Sequence, residues 1–180
     1  MIALIVLVVM TLAAVALVRS VDTTNQMAGN MSFREGAVHS GERSTELAIN
    51  NWIVPNSAWG NVNLHSNNAA QGYFAVRADP SSTQSWDAFW NASLAASAVA
   101  EAGADAAGNR VSYVIHRLCD GAGAPHTVNC SKQPAAASSG GSFSAGAVST
   151  ITSDQVYYRV TTRVVGPRNT VAYIQTIVAQ

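Results

Sequence analysis

Residues 1–18 read MIALIVLVVMTLAAVALV: seventeen apolar positions broken only by Thr11. The first charge is Arg19. At about 1.5 Å of rise per residue, such a run sits at the lower edge of what crosses a bilayer as a helix. Three arrangements fit it. A secretory signal peptide carries a basic region before its apolar stretch and a small-residue cleavage site after it. Here RSVDTTNQMAGN follows Val18 and offers no A-x-A exit. A membrane anchor fits the length but usually has charge on both flanks. The favoured arrangement is a chain whose basic leader has been removed, so that the apolar stretch stays in the mature protein.

Working outward, helical character does not stop at Arg19. No proline occurs before Pro55, and helix-compatible residues run through Glu35, Ala37, Glu42, Glu46, Leu47 and Ala48. At 100° per residue, Met27, Met31, Val38, Thr45 and Ile49 fall within about 40° of one another, an apolar stripe that Arg34 and Arg43 avoid. These positions predict one helix of about fifty residues, some 80 Å long. Its start is hydrophobic all round and its second half amphipathic. Gly29, Gly36 and Gly41 each cost about 1 kcal/mol against alanine, which makes the middle a place to bend or fray. Pro55 ends the helix, since the residue before a proline is pushed out of the helical region.

Beyond it, Asn56–Gln71 is Asn-rich and reads as a surface loop. Tyr73–Arg77 is a short strand candidate, Asp79–Ser82 a turn, and Trp86, Phe89 and Trp90 a short helix or packed aromatic corner. Residues 93–108, mostly Ala and Gly, fit helix or loop. Val111–Leu118 is a strand apolar on both faces. Gln155–Val165 alternates, with Val156, Tyr158, Val160, Thr162 and Val164 on one side and Tyr157, Arg159, Thr161 and Arg163 on the side expected to meet water. Gly166–Asn169 turns the chain into a last β-branched strand, Thr170–Val178. A sheet of three to four antiparallel strands with one wet face needs an apolar cover on the other, and the amphipathic half of the helix supplies it. The fold class is α+β. Residues 1–54 form the helix, with 1–18 its membrane or filament-core segment, and residues 55–180 the globular head.

Cys119 and Cys130 close a short loop that holds Gly121, Gly123 and Pro125. They pair if the head lies outside the cytoplasm; the alternative is two unrelated buried thiols. Pairing would contribute roughly 3 kcal/mol in the chain-entropy account. Residues 133–149, rich in Ser, Ala and Gly, read as a long surface loop.

Charge and motifs narrow the function. Charged residues make up 11% of the chain, ten basic against ten acidic, where a typical domain has about 25%. All twenty follow Val18, yet over the remaining 162 residues they still make up only about 12%, so the rest of the chain is charge-poor in its own right. A neutral chain lacks the basic footprint of nucleic-acid binding. No G-x-S-x-G, H-E-x-x-H, C-x-x-C or P-loop occurs, and the four histidines (His39, His65, His116 and His126) stand at no motif spacing. The expectation is a protein that is not an enzyme.

Several segments together carry a resemblance. They are Val18-Arg19-Ser20 after the apolar run, Gln26-Met27-Ala28-Gly29-Asn30, Arg34, Tyr113 to Cys119, Tyr157 to Thr161, and Gly166-Pro167-Arg168-Asn169-Thr170-Val171. In these the chain resembles the PilX-type pilus assembly proteins of the type IV pilin family, over both ends and about half its length. The resemblance implies a leader cut by a prepilin peptidase just before the apolar run, which makes Met1 the mature, N-methylated terminus. It implies residence in the bacterial inner membrane with a periplasmic head, followed by extraction into an extracellular filament. Ile5, Val8, Val9, Leu12 and Val15 would then pack the filament core. Partners would be other pilin subunits, with no cofactor, nucleic acid or small-molecule substrate. Two departures stand out: Ile5 where pilins place a glutamate, and Asp22 where many place a helix-bending proline. Ile5 leans toward a priming or tip subunit over a main building block. The competing expectation is a membrane-anchored periplasmic binding or adhesion module.

Overall fold

The computed structural model describes residues 2–58, 60–133 and 155–180. The expected loop at 133–149 lies, apart from Gln133, outside the described residues. Helix α1 (Ile2–Ala48) passes into a π-helical turn (Ile49–Ile53) and then a last turn α2 (Val54–Asn56), so 55 residues are helical without a break. The helix therefore runs through Pro55 instead of stopping before it. Val54 keeps helical angles and its N–H donates to Ile49 O across the wider π turn. That extra residue relieves the clash between a proline ring and the preceding turn. The three glycines do not interrupt the helix either.

The α+β expectation holds, with a larger sheet than foreseen. Three long strands form its antiparallel centre: β3 (Arg110–Arg117), β5 (Gln155–Val165) and β6 (Val171–Ala179). Three two-residue strands extend it. β1 (Tyr73–Phe74) runs parallel to β3, β2 (Val99–Ala100) antiparallel to β3, and β4 (Lys132–Gln133) antiparallel to β5. The sheet is thus mixed, because the chain leaves β1 through the long crossover after Phe74 and enters β3 in the same direction.

One sheet face carries Val111, Tyr113 and Ile115 of β3 opposite Val164, Thr162 and Val160 of β5. The second half of α1 lies on it, and Ala48 and Ile53 join the central cluster with Tyr73, Ile115, Tyr158 and Val160. The helix face that makes this contact meets the predicted stripe only at its far end, Thr45 and Ile49. Met31 remains 74% exposed and Met27 and Val38 are exposed too, while Ala37, Gly41, Ser44, Thr45 and Ala48 are buried. The buried arc is centred about 75° from the Met-lined one at 100° per residue, with Thr45 common to both. Close approach explains it: a Cβ at Gly41 would collide with Ile174 Cδ1, and one at Gly166 with the ring of Phe33. Small residues bring the helix axis near the sheet, and the volume between them is filled from the strand side.

The second correction concerns the face expected to meet water. Thr161 is fully buried, Arg159 nearly so, and Tyr157 and Arg163 are partly buried. The chain from Phe74 to Ala100 folds back over this face. Helix α3 (Trp86–Phe89) is capped by Ser85, whose Oγ accepts from Ala88 N–H at 3.2 Å, and a π turn continues it through Leu94. Its aromatic residues Trp86, Phe89 and Trp90 pack with Phe74, Val114 and Tyr173 as a second core. The sheet is consequently a central layer covered on both sides.

Candidate functional site

From Ile2 to Val21 helix α1 projects past the head. Its apolar window, mean hydropathy 2.7, has no part buried by the rest of the protein. Isolated helices are marginal in water, and this one is continued from a half anchored on the sheet, which removes the cost of nucleating it. Its few polar side chains turn back on the backbone. Thr11 Oγ1 donates to Val8 O at 2.9 Å, Thr23 to Arg19 O and Thr24 to Ser20 O, each at 2.8 Å. Up to Val18 the segment therefore shows its surroundings almost nothing but hydrocarbon.

Ile5, Val8, Val9, Leu12 and Val15 all lie in this projecting segment and all are exposed, Ile5 at 63% and Leu12 at 65%. At 100° per turn step they share one side of the helix. The geometry does not single that side out, since Leu4, Leu7, Met10 and Leu17 are equally bare. Met1, the expected methylated terminus, lies outside the described residues. Arg19 and Asp22 mark the boundary where the hydrocarbon surface ends.

Just beyond that boundary the helix and head enclose a groove of about 660 Å³. Asp22, Gln26, Gly29 and Phe33 form its helix wall, Asn109 and Pro167 its head wall. Above it Asp105 fastens the loop to the helix. Ser40 Oγ donates to Asp105 Oδ2 at 2.6 Å, and the backbone N–H groups of Ala107 and Asn109 donate to Oδ1. Those donors, Ser40 foremost, hold the carboxyl down at about 2.

Cys119 and Cys130 are joined in a disulfide at the end of the head remote from the apolar segment. The loop is tied down from both sides. Asn129 Nδ2 donates to Asp120 Oδ2 at 2.9 Å, and Gly123 N–H donates to His65 O at 2.7 Å. The Asn-rich loop is likewise more than surface: Asn56 Oδ1 accepts from Asn61 and Asn63 and so closes off the long helix.

The charged residues of the head are mostly structural. Arg117 is completely buried, with Nε donating to Ala75 O and Nη2 to Gly121 O, both at 3.1 Å. Arg159 is paired with Asp79, which also meets Arg77 at 3.2 Å. His116 stacks on Phe74 at 4.8 Å with both ring nitrogens unpartnered, and burial, reinforced by Arg159, pushes its pKa down to about 4. Sequence reading missed these residues as interior ones. The alternation of β5 placed Arg159 on the face expected to meet water, and nothing local announced that Phe74–Ala100 would cover it. Among the described residues no group of three or more His, Cys, Asp or Glu side chains is arranged to hold a metal ion.

Comparison with protein-family models, curated proteins and solved structures returns no match for this chain.

Proposed function

We propose that the protein is a structural subunit of a type IV pilus-like filament, related to the PilX-type assembly proteins, that polymerises through the first half of α1. The observation that carries the reading is the wholly unburied hydrocarbon surface of Ile2–Val21, continued without a break into a helix half packed on an α+β head. A buried Leu, Ile or Val contributes about 1.5–3 kcal/mol relative to an exposed one, so this surface drives the chain into lipid or against other apolar helices. A bilayer and a bundle of such helices are equally apolar, which allows transfer from one to the other.

In this reading the head stays outside the cytoplasm, in the periplasm and then on the filament, where a disulfide is stable. The role is one of assembly, not catalysis. Ile5 leaves no carboxylate to meet a neighbour's terminal amine, so contacts between copies rest on the apolar segment and on the heads. The small-residue helix face is spent on the subunit's own sheet and so leaves the apolar segment as the surface for other copies.

Replacing Val8 and Leu12 with Glu tests the proposal, since each charge costs about 3 kcal/mol in apolar surroundings. The double variant should vanish from sheared filaments that contain the wild-type chain; undiminished incorporation would refute the assembly role. If the wild-type chain stays in the membrane fraction and never enters filaments, the anchored binding module is the correct reading.

A further inference from the structure

We infer that the outer edge of β6 is a second assembly surface, which pairs with the opposite sheet edge, at β2, of the next copy of this chain. The inference rests on the filament reading above and specifies how neighbouring heads meet.

Strand β6 pairs with β5 along Val171–Ala179, and among the described residues nothing pairs with its other side. Val156 and Gln180 exchange both backbone hydrogen bonds, at 3.0 and 3.1 Å. By antiparallel alternation Ala172, Ile174, Thr176 and Val178 turn their backbone groups to β5. Val171, Tyr173, Gln175, Ile177 and Ala179 therefore turn theirs outward. Soluble proteins blunt such an edge with Lys, Pro, a bulge or short length. Here VAYIQTIVA is nine residues long with no charge and no proline, and Ile177 is 61% exposed. It is an edge built to be covered.

Polarity decides which part of a second copy covers it. Along α1, Phe33 and Ala37 pack near Val111 and Val164, while Ala48 and Ile53 pack near Ile115 and Val160. The helix thus runs in the sense of β3, and β6 shares that sense because both are antiparallel to β5. Two β6 edges paired antiparallel about Gln175 would point their apolar segments in opposite directions. Such a pair could not share one bilayer or one polar filament. With the helices parallel, the edge that meets β6 in antiparallel sense is β2, which runs against β3. Ala100 there is small and exposed, and it lies on the same sheet face as Val171, Gln175 and Ile177. A head-to-tail contact of this kind propagates without closing, as a filament requires.

The test is cross-linking in sheared filaments from cells that produce two forms of the full chain. One form carries Ala100→Cys; the other carries Val171→Cys, Gln175→Cys or Ile177→Cys. All four positions are on the surface, and unchanged melting temperatures confirm that each variant folds. A short thiol-reactive linker should give dimers between the two forms for at least one β6 position. Placing Ala100→Cys and that β6 cysteine in one chain should give ladders of higher multiples. Filaments that yield only β6–β6 dimers, or no cross-links at any position, overturn the edge pairing and leave the filament reading intact. If wild-type chains form no filaments, the filament reading falls and this inference falls with it.

Discussion

Gly41 decides how α1 sits on the sheet. A Cβ there has no room against Ile174, so Gly41→Leu must push the helix off β6 or distort the side chains beneath it. Overpacking of this kind costs about 1–3 kcal/mol, and the melting temperature of the head should fall accordingly. Gly29→Ala meets nothing within 4 Å and, with alanine's better helix propensity, should not lower that temperature. His116 gives a different handle. An unfolded chain binds its proton near the ordinary value of 6.5, whereas the folded head refuses it until about 4. Stability is full above 6.5, declines as pH falls from 6.5 to 4, and loses no more from this residue below that. Over that window the loss is roughly 3 kcal/mol at most. Denaturation followed between pH 7 and 4 should show the slope, and His116→Phe, which keeps a ring against Phe74 without polar atoms, should flatten it.

At the scale of elements, the loop closed by Cys119–Cys130 and the π turn at Ile49–Ile53 show two kinds of control. The disulfide fixes a loop that is otherwise held by hydrogen bonds, among them those from Asn129, Gly123 and Arg117. Replacing both cysteines with Ser should lower stability by about 2–4 kcal/mol, measured by denaturant unfolding, with the far-UV helix signal retained in the folded state. The long helix and the three main strands were legible because each carries one strong local signal: continuous hydrocarbon for the start of α1, an apolar run for β3, alternation for β5 and β-branched residues for β6. The π turn was not, since a proline rule read locally ends a helix that the packed Trp52 and Ile53 instead carry through. The short strands β2 and β4 were hidden, whereas β1 fell inside the Tyr73–Arg77 strand candidate. Two residues hold no period, and their conformation is set by the strand they happen to lie beside.

Across the whole molecule the head is a three-layer object, and the projecting half of α1 belongs to none of its layers. The candidate site was almost entirely legible, because hydrocarbon without a partner is a property of composition. Arg159, Thr161 and Arg163 were misplaced in water because the cover over their face comes from Phe74–Ala100, whose Ala- and Ser-rich stretch carries no periodic signal. The sequence alone determined that one long helix begins in hydrocarbon, that a β-rich, charge-poor head follows, and that two cysteines stand at a distance that a loop can close. Each follows from the solvation and local geometry of neighbours in the chain. Tertiary structure decided which helix face is buried, that both faces of the sheet are covered, and that β6 is left with an open edge. Those outcomes depend on how closely backbones approach and on which side chains fill the gap, and that is a property of residues brought together from far apart in the chain.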